Sequence, residues 1–81
     1  MILSELKLGQ DGRIQAFSGK CPVKIKRRLL DLGFTTGTKV RLVRKSILSK
    51  VVLLELRGYV LSLQKKIANY VILGGNNGRC N

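Results

Sequence analysis

Arg27-Arg28-Leu29-Leu30-Asp31-Leu32-Gly33-Phe34-Thr35-Thr36-Gly37-Thr38-Lys39-Val40 decides the fold, because it reads as a helix end, a glycine-stopped corner and the start of a strand in one unbroken stretch. Gly33 suits the left-handed residue that ends a helix, and Gly37 punctuates the corner that follows. Upstream, Pro22 fits a first helical turn, where its missing N–H is no loss. The two marks bracket an inserted α-helix over about 22–32. At about 100° per residue, Ile25, Leu29 and Leu32 form a narrow stripe, the face expected to cover a core. Val23 and Leu30 fall off that stripe and point roughly opposite, among Lys24, Lys26, Arg27 and Asp31.

Outward from this unit the chain is strand and turn. Leu3 to Gly9 reads as a lead-in turn with Leu3, Leu6 and Leu8 directed to the core. Gly12 to Gly19 reads as a first strand with Ile14 and Ala16 on one face. After the corner, Lys39 to Arg44 is a second strand with Val40 and Leu42 inward and Lys39 and Arg41 outward; Lys45 to Lys50 is a loop. Val51 to Arg57 is a third strand in which Val52, Leu54 and Leu56 face inward, leaving Val51 and Leu53 outside. Gly58 turns it into a fourth strand over Tyr59 to Leu63, with Leu61 and Leu63 on one side. Gln64 to Asn69 makes a short terminal helix and Tyr70 to Leu73 a closing strand. Residues 74–81, rich in glycine and asparagine, are expected to form a flexible tail. The class is mainly β, and five short strands with one inserted helix suggest a small barrel, since closure disposes of exposed sheet edges.

An 81-residue chain buries only about 60% of its unfolded surface, so residues 1–73 are expected to form one domain. Hydrophobic content of 44% is too high for disorder. The longest uninterrupted apolar run, Val51 to Leu54, is far short of the roughly 20 residues of a membrane span. The N-terminus lacks the pattern of a signal peptide, so a cytoplasmic location is expected. Cys21 and Cys80 form no disulfide framework and are expected as reduced thiols. A net charge of +12 sets up a positive field attractive to nucleic acid, anionic lipid or an acidic protein.

The opening Leu3-Ser4-Glu5-Leu6-Lys7-Leu8-Gly9-Gln10, the helix and corner quoted above, Leu56-Arg57-Gly58-Tyr59 and Leu61-Ser62-Leu63 together resemble the ferrous iron transport protein A (FeoA) family. The resemblance runs from Leu3 to about Leu73. It implies a five-stranded SH3-like barrel and association with FeoB, a membrane permease with a cytosolic GTPase domain, so the chain would sit at the inner membrane through its partner. Three departures from the family pattern stand out. Thr36 replaces a proline of the corner, Ile47-Leu48-Ser49-Lys50 replaces a Gly-Asp-Pro element, and Lys65-Lys66-Ile67 stands where acidic residues are usual.

Catalytic chemistry is missing from the residue types. There is no histidine, the four acids Glu5, Asp11, Asp31 and Glu55 are scattered, and two cysteines would supply a metal at most two soft ligands. Gly9, Gly12 and Gly19 make no phosphate-binding loop. No catalytic residue, metal site or cofactor is therefore expected.

Three contact surfaces remain. Val23 and Leu30, ringed by Lys24, Lys26 and Arg27, form an apolar pair in a basic frame, suited to partner docking or simply to a solvated helix face under the lead-in segment. Val51, Leu53 and Val60 on the outer strand face suit a partner strand or weak self-association, unless the loop or terminal helix covers them. Lys39, Arg41, Arg44, Lys45 and Lys50 could track phosphates, although the aromatic residues that usually interleave such arrays are scarce. Gly33, Gly37 and Gly58 are assigned to structural turns. The functional expectation is a non-enzymatic accessory that binds the permease and tunes its GTPase activity, assembly or transport. A nucleic-acid-binding small barrel is the alternative, and a repressor barrel standing alone a third.

Overall fold

The computed structural model describes residues 1–74. A 3-10 turn (Leu3–Glu5) leads into β1 (Asp11–Phe17), α1 (Val23–Asp31), β2 (Lys39–Ser46), β3 (Val51–Leu56), β4 (Tyr59–Gln64), α2 (Lys65–Ala68) and β5 (Val71–Gly74). The five strands form one antiparallel sheet in the order β4-β3-β2-β1-β5. In a flat sheet its two edges would lie four strand spacings, about 19 Å, apart. Here Leu63 of β4 and Val71 and Leu73 of β5 share one core with Ile14, Val40, Leu42, Val52, Leu54 and Leu56, so the sheet is curled. α2 joins the two edges, α1 contributes Leu29, and the lead-in turn contributes Leu3 and Leu6. The expected mainly β, SH3-like architecture with one inserted and one short terminal helix is the one found. Gly74 ends β5, and the rest of the segment expected as a tail lies outside the described residues.

The corner after α1 shows how local sequence positions the core. Gly33 has φ +106°, which an L side chain rarely adopts, and this turns the chain so that Phe34 is wholly buried while its N–H bonds to Leu29 O at 3.0 Å. Arg57 reaches across from the β3–β4 hairpin. It donates to Gly33 O at 3.2 Å, to Thr35 Oγ1 at 2.8 Å and to Thr38 Oγ1 at 3.2 Å, and the Tyr59 hydroxyl donates to Leu32 O. With Thr36 in place of a proline, these side chains supply rigidity that the ring would otherwise give. Arg57 itself sits at φ +50° before Gly58 at φ +85°, in a two-residue hairpin turn between the paired Leu56 and Tyr59. Such a turn favours asparagine at the first position. Arg57→Asn is nevertheless expected to lower the thermal midpoint by roughly 4–8 °C, because losing the corner clamp outweighs the turn preference at about 1 kcal/mol net. An unchanged or raised midpoint in calorimetry would show that the clamp is idle.

Two bulges shape the strand faces, and the first corrects an expected one. In β1 the register with β5 shifts between Ile14 and Ala16, leaving Gln15 unpaired in the ladder. Ile14 therefore faces the core opposite Leu73, whereas Ala16 is exposed and Phe17 turns inward. In β2 the register with β3 shifts between Leu42 and Arg44, so Val43 is the extra residue. Past it, Arg44 lies opposite the outward Leu53, and Lys45 lies opposite the buried Val52. Lys45 accordingly leaves the expected outer basic array. Its ammonium donates to Ser4 O at 3.3 Å and Leu6 O at 3.0 Å, tying the lead-in segment to the barrel. The strand also runs on to Ser46, two residues into the expected loop. Leu8, expected in the core, is 72% exposed, because it sits at the apex of a turn closed by Gln10 N–H to Lys7 O at 2.9 Å.

Candidate partner-binding groove

The two edges of the sheet are treated differently. Along β5, Ile2 forms a bridge with Ile72 and Leu73 N–H donates to Met1 O at 2.7 Å, so the N-terminal residues cover that edge. Along β4, no other segment pairs with the outer edge among the described residues. An open strand edge carries unpaired N–H and C=O groups at regular spacing, ready to receive another strand.

Beside that edge lies a groove of about 530 Å³. Ile25, Leu29 and Leu32 of the α1 stripe form one wall and Leu61, Leu63 and Ile67 the other, with Arg28 and Gln64 also lining it. The stripe expected to cover the core thus serves two surfaces. Leu29 is 2% exposed and belongs to the core, whereas Ile25 and Leu32 are half-buried and shared between core and groove. The Tyr59 hydroxyl bound to Leu32 O ties β4 to the C-terminal end of α1.

Val23, at 69% exposure, and Leu30, at 39%, stand on the outer face of α1 with Lys24, Lys26 and Arg27 exposed around them. The lead-in turn packs on α2 and β5 and leaves Leu30 partly open. The Lys26 ammonium lies 5.9 Å from the Phe17 ring centroid. Val51 and Leu53 are half-buried, so β3 does not present an open apolar stripe; Val60 is open instead and lines a shallow depression with Leu8 and Val43. The basic array is dispersed. Lys39 lies 3.9 Å from Asp11 and Arg41 3.8 Å from Glu55, both exposed pairs of small energetic weight. Gly37 and Gly58, like Gly33, have positive φ. Among the described residues no three His, Cys, Asp or Glu side chains come together, and no helix is long and apolar enough to cross a membrane.

Sequence reasoning missed the groove. Its walls come from α1, β4 and α2, and only the half-burial of Ile25, Leu61 and Ile67 in the folded chain reveals that they face one another.

The comparisons with known proteins agree with this architecture. No curated protein matches the chain. Among solved structures, FeoA of Stenotrophomonas maltophilia, crystallised with zinc and described as a prokaryotic SH3 domain protein, is 29% identical. Its TM-score is 0.79, over 91% of this chain and 89% of that one. The solution structure of FeoA from Chlorobium tepidum is 27% identical with a TM-score of 0.81, over 98% of this chain and 76% of that one. A manganese-dependent transcriptional repressor in complex with manganese shares the fold alone, at 15% identity and a TM-score of 0.83 over 91% of this chain and 35% of that one. The family profile of the FeoA domain matches residues 1–73. Profile and fold together place the chain in the FeoA family, which is tied to ferrous iron transport.

Proposed function

We propose that this chain is a non-enzymatic cytosolic accessory of ferrous iron uptake that binds the cytosolic portion of a FeoB-type permease and modulates its GTPase activity, assembly or transport. The observation that carries the reading is the apolar groove beside the open edge of β4. An extended permease segment would add a strand there, its backbone completing the β4 ladder and alternate side chains entering between α1 and β4. Val23, Lys24, Lys26, Arg27 and Leu30 give the outer side of α1 a second contact, and Val51 and Leu53 lie on the neighbouring strand. A module this small acts by preferring one conformation of its larger partner, so it must bind one permease state more tightly than another.

Copurification of the tagged chain with the permease tests this. Leu61→Asp puts a charge where an apolar contact of about 1.5–3 kcal/mol would form, and is expected to weaken association by roughly tenfold to a hundredfold with the circular dichroism spectrum unchanged. Leu30→Asp is expected to have a smaller effect. Wild-type association of a folded Leu61→Asp chain would rule the groove out. The nucleic-acid alternative predicts that bound material disappears with nuclease and that binding falls steeply with salt.

A further inference from the structure

The β2–β3 hairpin ends in an exposed apolar tip that neither the groove nor the core uses. Ser46 and Val51 form its last pair, and the loop between them carries Ile47 at 86% and Leu48 at 97% exposure. Two adjacent aliphatic side chains almost fully in water are costly to keep unless something covers them. The loop holds a defined shape: Ser49 N–H donates to Ser46 Oγ at 3.3 Å, the two serine hydroxyls are 2.6 Å apart, and Lys50 adopts φ +55°. The tip is therefore convex and ordered, unlike a pocket for a small molecule.

Its surroundings are basic. Lys65 N–H bonds to Lys50 O at 2.9 Å, which brings the start of α2 against the hairpin, and Lys50, Lys65 and Lys66 line one cleft there. Lys45 lies just below on β2. Three of the four carboxylates are placed elsewhere. Asp11 and Glu55 both lie opposite Arg41, about 13 Å down β3 from Val51, and Asp31 ends α1 near the opposite turn. Glu5, on the lead-in turn packed against α2, is engaged by Ile2 N–H at 2.8 Å.

From this arrangement we infer that the hairpin tip is a docking device for an anionic lipid bilayer. Ile47 and Leu48 enter the boundary between headgroups and acyl chains while Lys50, Lys65 and Lys66 meet the lipid phosphates. A convex apolar point with a cationic collar fits a deformable anionic interface, where apolar burial and surface attraction add. Nucleic acid would use the lysines but gives aliphatic side chains no burial comparable to a bilayer. Each lysine near the surface contributes about fivefold to partitioning. That makes the contact reversible, as expected for a single weak anchor.

Flotation of the full chain with vesicles of two parts phosphatidylcholine to one part phosphatidylglycerol tests the inference, with pure phosphatidylcholine as control. Binding is expected on the anionic vesicles only. The double substitution Ile47→Ser with Leu48→Ser is expected to reduce it at least about tenfold, the loss of two aliphatic insertions. Replacing Lys50, Lys65 and Lys66 together by glutamine is expected to reduce it by a similar or larger factor. The chain has no tryptophan, so Ile47→Trp supplies a sole reporter, expected to shift to the blue and to be quenched by brominated acyl chains. Undiminished binding by the serine double variant, or an unquenched tryptophan, would overturn the inference by showing that charge alone acts. Absence of wild-type flotation, with retention of an RNA fragment through the same lysines, would overturn it in favour of a nucleic-acid surface.

Discussion

Phe34→Ala is expected to remove about 3–5 kcal/mol of folding stability. Phe34 is wholly buried and is the largest of the fully enclosed side chains in the core. Truncating a buried phenylalanine costs about 3–5 kcal/mol, because the lost transfer energy is joined by a cavity that the surroundings fill only in part. A domain of this size has roughly 4–12 kcal/mol in total, so the loss is a large share of the whole. Relaxation is restricted here, because the Phe34 backbone is pinned by its N–H to Leu29 O and by the corner on either side. Urea unfolding followed by circular dichroism measures the effect. A midpoint displaced by the equivalent of less than about 1 kcal/mol would mean that the corner collapses onto the cavity, contrary to close packing.

Gly33→Ala, one residue earlier, is expected to cost about 2–3 kcal/mol by a different route. At φ +106° any side chain is strained, and a Cβ would lie 2.9 Å from Arg57 Cδ and 3.2 Å from Arg57 Nε. Backbone strain accounts for about 1–2 kcal/mol. The remainder comes from displacing Arg57 from Gly33 O and the two threonine hydroxyls, about 1 kcal/mol for partly exposed hydrogen bonds. The two contributions separate in a double-mutant cycle. In an Arg57→Ala background Gly33→Ala should cost less, by about 0.5–1 kcal/mol, since the arginine is no longer there to be pushed aside. Strict additivity would show that the crowding relaxes without disturbing the clamp.

Gly33 was legible before the fold was known, and the reason is physical. A glycine at a helix end is dictated by local backbone chemistry, so the span from Pro22 to Gly33 located α1 to within a residue or so at each end. The alternation of Val52, Leu54 and Leu56 in β3 was equally plain, because β3 pairs on both sides without an interruption of its own faces. Ala16 was misplaced by an assumption of regularity, and Lys45 by ending β2 two residues early and assigning it to a loop. Strict alternation assumes that no residue is skipped, and a bulge skips one without leaving a mark in residue type. Leu8 failed because turn closure by Lys7 and Gln10 took precedence over its hydrophobicity. On the functional side, exposure of Val23 and Leu30 followed from helical periodicity alone. The groove did not, since apposition of α1 with β4 depends on how far the sheet curls, a property of the assembled core.

The extra residue in β2 also bears on which changes of the chain can be inherited. With Val43 present, Lys45 reaches the lead-in carbonyls and Arg44 stays in solvent. Regular pairing at constant length would put Val43 opposite Leu53 and Arg44 opposite Val52 and turn a guanidinium toward the interior, whereas deleting Val43 would leave Arg44 opposite Leu53 and Lys45 opposite Val52. Loss of that one residue is therefore a change of length that the two faces of this segment can absorb. Descendants of this chain should vary freely in residue type at Val43 and accept its deletion, since either change leaves Lys45 within reach of the lead-in carbonyls.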